Sequence, residues 1–86
     1  MPTISEFYGI LIRMYFMDHA PPHFHAIYGS DEAVIDIRTL EVIQGSLPRR
    51  ALSFVLEWAF QHRDELNKDW ELCIARKSPR PIPPLD

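Results

Sequence analysis

Three of the four histidines of this 86-residue chain fall within seven positions, in the stretch DHAPPHFHAIYG that occupies residues 18–29. Histidine is the side chain that changes charge near neutral pH, and its neutral ring is a common metal ligand. His23 and His25 are two apart, so on a strand both rings leave one face, separated by a rise of about 6.6–6.8 Å. Such a pair can hold one Zn2+, Fe2+ or Ni2+ ion, at about 2.0–2.1 Å for each zinc–nitrogen bond, once a third ligand arrives. His19 and Asp18 are the nearest third ligands, and Asp36 is another if the next strand lies alongside. The cofactor expectation is therefore none or a single divalent transition metal. The same rings could work as general acid and base without metal. The plainer alternative for a His-x-His strand is a surface or hydrogen-bonded polar cluster. Pro21 and Pro22 fix the backbone ahead of His23, which suits a preorganised site and a sharp turn equally.

The elements that must position these rings can be read from hydrophobic periodicity, which changes once, near Gly45. Before it the pattern alternates. In residues 7–17, Ile10, Ile12, Met14 and Phe16 form one apolar face, while Leu11, Arg13, Tyr15 and Met17 form a mixed one. Residues 23–28 alternate as well, with Phe24, Ala26 and Tyr28 opposite the histidines, so the histidine face is not the main core face. Gly29-Ser30-Asp31 reads as a turn, residues 32–38 as a third strand, and residues 41–44 as a short fourth.

After Gly45 the period is helical. Ser46 reads as a cap and Pro48 as a helix entry. Ala51, Leu52, Val55, Trp58, Ala59, His62 and Leu66 recur at three- and four-residue intervals and make one stripe, which places His62 among core residues. Asn67-Lys68-Asp69 weakens the pattern before Trp70, Cys73 and Ile74 resume it. The prediction is one long helix, or two with a kink near Asn67. Residues 78–84 hold four prolines and predict an extended tail. Arg76, Lys77 and Arg80 make that tail basic. RPIPPL resembles a polyproline ligand, although in a compact domain such a tail is expected to pack along its own sheet.

The expectation is one α+β domain over residues 1–86. An antiparallel meander of three or four strands (about 7–44) precedes a helical part (about 47–76) packed on one face, and an extended proline-rich tail (77–86) follows. Ile10, Ile12, Met14 and Phe16 should lie under the helix. Leu11, Tyr15 and Met17 leave the opposite face more apolar than one helix and an open sheet require, so a second copy in a homo-oligomer, a small partner protein or the folded-back tail is expected there.

Composition removes several classes. A hydrophobic fraction of 47% with 24% charged residues is that of a folded globular domain. Arg13 and Asp18 interrupt the most apolar segment, so no membrane span is expected, and that segment lacks the basic lead-in and cleavage site of a signal peptide. Cys73 is alone, which excludes an intramolecular disulfide and a cysteine zinc cluster, and fits a cytoplasmic location. A net charge of −3 gives no global attraction to phosphate backbones, so nucleic-acid binding would need a local patch.

The run DHAPPHFHAIYG, followed by GSLPRRALSFVLEWAFQHRDELNKDW and a basic, proline-containing end, resembles the small bacterial family known as domain of unknown function 4160. Glutamate is the more familiar acid where Asp18 stands, and a glycine is expected in the turn at Thr39-Leu40-Glu41. The resemblance implies a gene often encoded beside another small domain, in pairs regarded as candidate toxin–antitoxin modules, and it brings no established activity. Three function classes follow. The chain could be one component of a two-gene module that acts by protein binding. It could be a small histidine-dependent hydrolase or ribonuclease-like toxin, with His19, His23 and His25 as acid–base groups and Arg38, Arg49 or Arg50 stabilising a phosphate; the last two enter a helix near free N–H groups. Or it could be a metal-binding regulator that uses the His-x-His strand. In each case the histidines form one polar cluster off the core face, and removing one is expected to cost little stability.

Overall fold

Five antiparallel strands lie in sequence order across one open sheet: β1 (Thr3–Phe7), β2 (Ile10–Arg13), β3 (His23–Tyr28), β4 (Asp31–Asp36) and β5 (Val42–Gly45). Two helices follow, α1 (Arg49–Gln61) and α2 (Arg63–Ile74), and then an extended C-terminal segment. The computed structural model describes residues 2–86. The meander and the α+β class are as predicted, but there are five strands rather than three or four.

The additional strand comes from a two-residue hairpin at Tyr8-Gly9, which pairs Phe7 with Ile10. Both turn residues have positive φ, 52° and 78°, as a type I′ turn requires. The usual Asn-Gly or Asp-Gly signal is missing. Tyr8 takes the left-handed conformation instead, with its ring 5.0 Å from that of Phe54 on α1.

β2 also stops sooner than the alternation suggested. Ile10, Ile12 and Met14 are fully buried, but Phe16 is 46% exposed rather than under the helix. Pairing with β3 ends at Arg13, and Met17 turns the chain with φ 55°. Beyond Arg13 no sheet remains to impose alternation on Phe16.

Asp36 ends β4 two residues before the predicted limit. Its Oδ1 accepts the N–H groups of Arg38 (2.7 Å) and Thr39 (3.3 Å), and Arg38 donates to Oδ2 at 3.1 Å. The side chain therefore organises the turn into β5. Leu40 sits in that turn with φ 60°, the conformation for which a glycine is expected. The β5 strand closes on Gly45, where a Cβ would lie 2.1 Å from the Glu32 carbonyl oxygen. No other residue fits there without displacing β4.

α1 lays Ala51, Val55, Trp58 and Ala59 on the core face of the sheet. The Trp58 ring reaches Phe7 at 5.4 Å and Phe24 at 5.9 Å. Pro48, not Ser46, occupies the cap position, and no side chain caps the helix. The break between the helices falls at His62 rather than Asn67. His62 has φ −123°, its N–H bonds Ala59 O, and its carbonyl accepts the Leu66 N–H. Asp64 and Glu65 in the next turn favour a fresh N-terminus. α2 ends in a Schellman arrangement, with Lys77 N–H on Leu72 O and Arg76 N–H on Cys73 O, and Arg76 takes the φ of 61° usually left to glycine.

The tail packs on its own domain. Ile82 N–H donates to Ile4 O of β1 at 2.8 Å, the Trp58 indole donates to Pro83 O at 2.8 Å, and Ile82 and Leu85 are buried. Ile82→Ala is expected to destabilise the protein by about 2–4 kcal/mol in urea unfolding, the usual range for deleting a buried isoleucine side chain. Asp69 holds the tail as well, its Oδ1 accepting the Arg80 N–H, but its Oδ2 is buried without a partner. Burial pushes this carboxyl above its usual range, with Glu65 adding to the push and Arg80 opposing it. A raised folded-state value means the folded protein holds the proton more tightly, so stability falls as pH rises through that value. Asp69→Asn should therefore raise the melting temperature in neutral buffer, and the gain should vanish as the pH is lowered into the acid range.

Candidate metal centre

The centre is built on β3, paired on both sides, by β2 and β4. Alternation sends Phe24 and Ala26 into the core at 0% exposure and turns His23 and His25 to the other face. His23 is nonetheless only 7% exposed, because the start of β3 is overlapped by α2, whose Trp70 ring lies 5.1 Å from the imidazole. His25 is half-buried, with the Tyr15 ring 4.4 Å away in an edge arrangement.

Residues 14–22 bring in the third group. This link is tied down by backbone bonds: Met14 N–H to Pro2 O, Met17 N–H to Cys73 O, and Ile37 N–H to Pro22 O. Asp18 is thereby held over both rings. Its Oδ2 lies 2.9 Å from His23 Nε2 and 3.5 Å from His25 Nε2, while Oδ1 accepts the His19 N–H at 2.9 Å. One ligand atom from each of Asp18, His23 and His25 falls within 4.8 Å of the others.

The outer nitrogens decide the chemistry. His23 Nδ1 is 2.7 Å from the Pro21 carbonyl oxygen, which can only accept, so Nδ1 carries a hydrogen. His25 Nδ1 is 2.8 Å from Glu32 Oε2, and an ionised carboxylate again only accepts. In a neutral ring Nε2 is then the lone-pair nitrogen. Both lone pairs therefore face the same carboxylate oxygen, an acceptor-on-acceptor contact that either a proton on each Nε2 or a shared cation must relieve. Burial alone would raise the Asp18 carboxyl, but the His19 N–H and, when their Nε2 atoms are protonated, the His23 and His25 rings outweigh it and hold the group below its usual value. The carboxylate is thus anionic.

The distances fit a shared cation as well as a charge-assisted hydrogen bond. Two ligands each about 2.05 Å from one ion stand about 2.9 Å apart at right angles and about 3.3 Å apart at the tetrahedral angle. The two nitrogen–oxygen separations are 2.9 Å, at the first value, and 3.5 Å, just beyond the second. A ring nitrogen that donates outward to a carbonyl or carboxylate while its partner faces the metal is the usual supporting arrangement of metal-bound histidine.

The other predicted residues lie elsewhere. His19 is exposed; its backbone supports Asp18, but its ring does not join the group. Asp36 pairs with His23 across the strands, yet its carboxylate is turned to Arg38, whose hydrogen bond is the main cause of its lowered pKa. Arg49 and Arg50 begin α1 near the far end of β3: Arg50 shares a shallow groove with Tyr8 and Tyr28. Tyr28 is five residues from His23, about 17 Å along an extended strand. The structure therefore does not bring these arginines to the histidines. His62 packs its ring 5.6 Å from that of Trp58 and bonds Glu65. Sequence reasoning missed Glu32, Tyr15 and Trp70 as supporting groups. Glu32 was readable in principle, since a two-residue turn at Gly29-Ser30 pairs Ile27 with Glu32 and so sets it diagonal to His25.

The α+β meander carries His23 and His25 on its central strand and Asp18 on the link before it. The family model described as "Domain of unknown function (DUF4160)" matches residues 9–71, and the chain belongs to that family. No curated protein and no solved structure matches it. Among the described residues no helix is long and apolar enough to cross a membrane.

The burial of His23 revises the expectation that either imidazole can be lost cheaply. In chelator-treated protein, His23→Ala should cost about 1–3 kcal/mol in urea unfolding, through the lost Pro21 bond and Trp70 contact. His25→Ala should cost less than about 1 kcal/mol.

Proposed function

We propose that the chain binds one divalent transition metal through Asp18 Oδ2, His23 Nε2 and His25 Nε2, and that metal binding is the basis of its function. The observation that carries this reading is the shared orientation of the two rings: both Nδ1 atoms donate outward, to Pro21 and Glu32, and both Nε2 atoms converge on Asp18. Nitrogen and oxygen donors in this set suit zinc, ferrous iron, cobalt and nickel. Three protein ligands leave at least one position open, which is the arrangement of centres that act on a bound molecule rather than of closed structural sites.

Protein purified without a histidine tag should take up one equivalent of zinc or cobalt, measured by elemental analysis after gel filtration. Asp18→Ala, His23→Gln and His25→Gln should each lose most of that metal. His19→Ala should keep it, and retention of full stoichiometry by all three ligand variants would contradict the proposal.

The two-gene, protein-binding reading has one specific support. Phe16, Met17 and Ile74 are 46%, 53% and 47% exposed, and the Met17 N–H on Cys73 O brings the first pair beside the third. This apolar rim borders the link that carries Asp18, so a partner or second copy seated there would also cover the metal centre. Light scattering that shows a monomer, alone and with the product of any neighbouring gene, would remove this reading and leave the metal centre untouched.

A further inference from the structure

Arg13 ends β2 directly opposite His25, the two residues being paired in the β2–β3 register. Side chains of such a pair leave the same face, with Cβ atoms about 4.5–5.5 Å apart. The guanidinium thus shares the face of the metal centre and is a neighbour of one of its ligands. Arg13 is half-buried, yet among the described residues it forms no ion pair, and its Nε is buried without a hydrogen-bond partner. A buried N–H left unpaired is costly, and a guanidinium donor is more so than a neutral one.

Charge points the same way. The Asp18 and Glu32 carboxylates balance a divalent ion, and the Arg13 guanidinium has no ion-pair partner among the described residues, although Glu6 lies diagonal to it on the same face. The open position on the ion and the free donor on Arg13 therefore call for the same kind of group: an anion with two acceptor oxygens. The planar guanidinium fork matches carboxylate and phosphate in this way.

We propose that the centre binds a small oxyanion, a carboxylate or phosphate group, with one oxygen on the metal held by Asp18, His23 and His25 and another on the Arg13 guanidinium. This rests on the metal reading and adds to it the chemical class of the ligand. Arg13 is a binding residue for that ligand and not a metal ligand, so the two claims separate in experiment.

The test uses the full chain loaded with cobalt(II), whose visible absorption reports changes at the ion. Cobalt affinity is measured first; inorganic phosphate and acetate are then titrated in separate arms. In the wild-type protein at least one of the two should shift the spectrum saturably, and the tighter arm names the source of the oxyanion. Arg13→Gln should bind cobalt within about twofold of wild type, and bind that anion about ten- to a hundredfold more weakly, the span expected for losing a charge-assisted hydrogen bond. Arg13→Met, which keeps the aliphatic stem, repeats the measurement should the glutamine variant fail to fold. Unchanged anion affinity in the folded variant, or no spectral response of the wild type to either anion, overturns the proposal while the metal reading stands. Failure of the wild type to bind cobalt removes both.

Discussion

The side-chain alternation of β3 is the constraint on which the remaining arrangement depends. This strand is central in the sheet and hydrogen-bonded on both sides, so it cannot rotate or slip by one residue without turning every side chain over. Phe24 and Ala26 are fully buried against the α1 side, which fixes His23 and His25 on the opposite face. The hydrophobic core thereby sets the direction of two polar rings that are not part of it. A register shift would bury the imidazoles and expose Phe24, so the fold and the cluster stand or fall together.

Rings placed by a strand still need their rotation about the Cβ–Cγ bond defined, and the two outer hydrogen bonds do this. Pro21 supplies a carbonyl from the link before the strand, and Glu32 a carboxylate from the strand beside it. The third group arrives by a different route. Asp18 belongs to no strand; its position follows from the backbone bond between Met17 and Cys73, which joins the link to the last turn of α2. The same helix covers His23 with Trp70. α2 therefore supports the cluster twice, although it contributes none of the three converging atoms. The extended tail, held by Asp69 and Ile4, in turn packs along α2 and β1.

What could be read in the sequence divides along the same lines. Two-residue spacing obliges His23 and His25 to share a strand face, and the apolar residues between and after them place that face away from the core. Local period was enough for this. The stripe from Ala51 to Leu66 was legible for the same reason. The link was not: whether Asp18 or His19 turns toward the rings depends on how residues 14–22 are bound to α2, a contact across more than fifty positions that no local pattern encodes. The hairpin at Tyr8-Gly9 was hidden because Tyr8 adopts a backbone conformation that its residue type disfavours. The helix break at His62 was hidden because no proline or glycine marks it.

On the proposed reading, His23 and His25 present Nε2 to one ion while Nδ1 remains protonated toward Pro21 and Glu32. Long-range proton–nitrogen NMR of the imidazole rings reads this directly. On addition of one equivalent of zinc to tag-free protein, the Nε2 signals of His23 and His25 should shift together to the metal-bound range. Their Nδ1 signals should keep the protonated signature, and the rings of His19 and His62 should not move. Signals of His23 and His25 that stay unchanged at one equivalent, or a shift confined to His19 or His62, would contradict it.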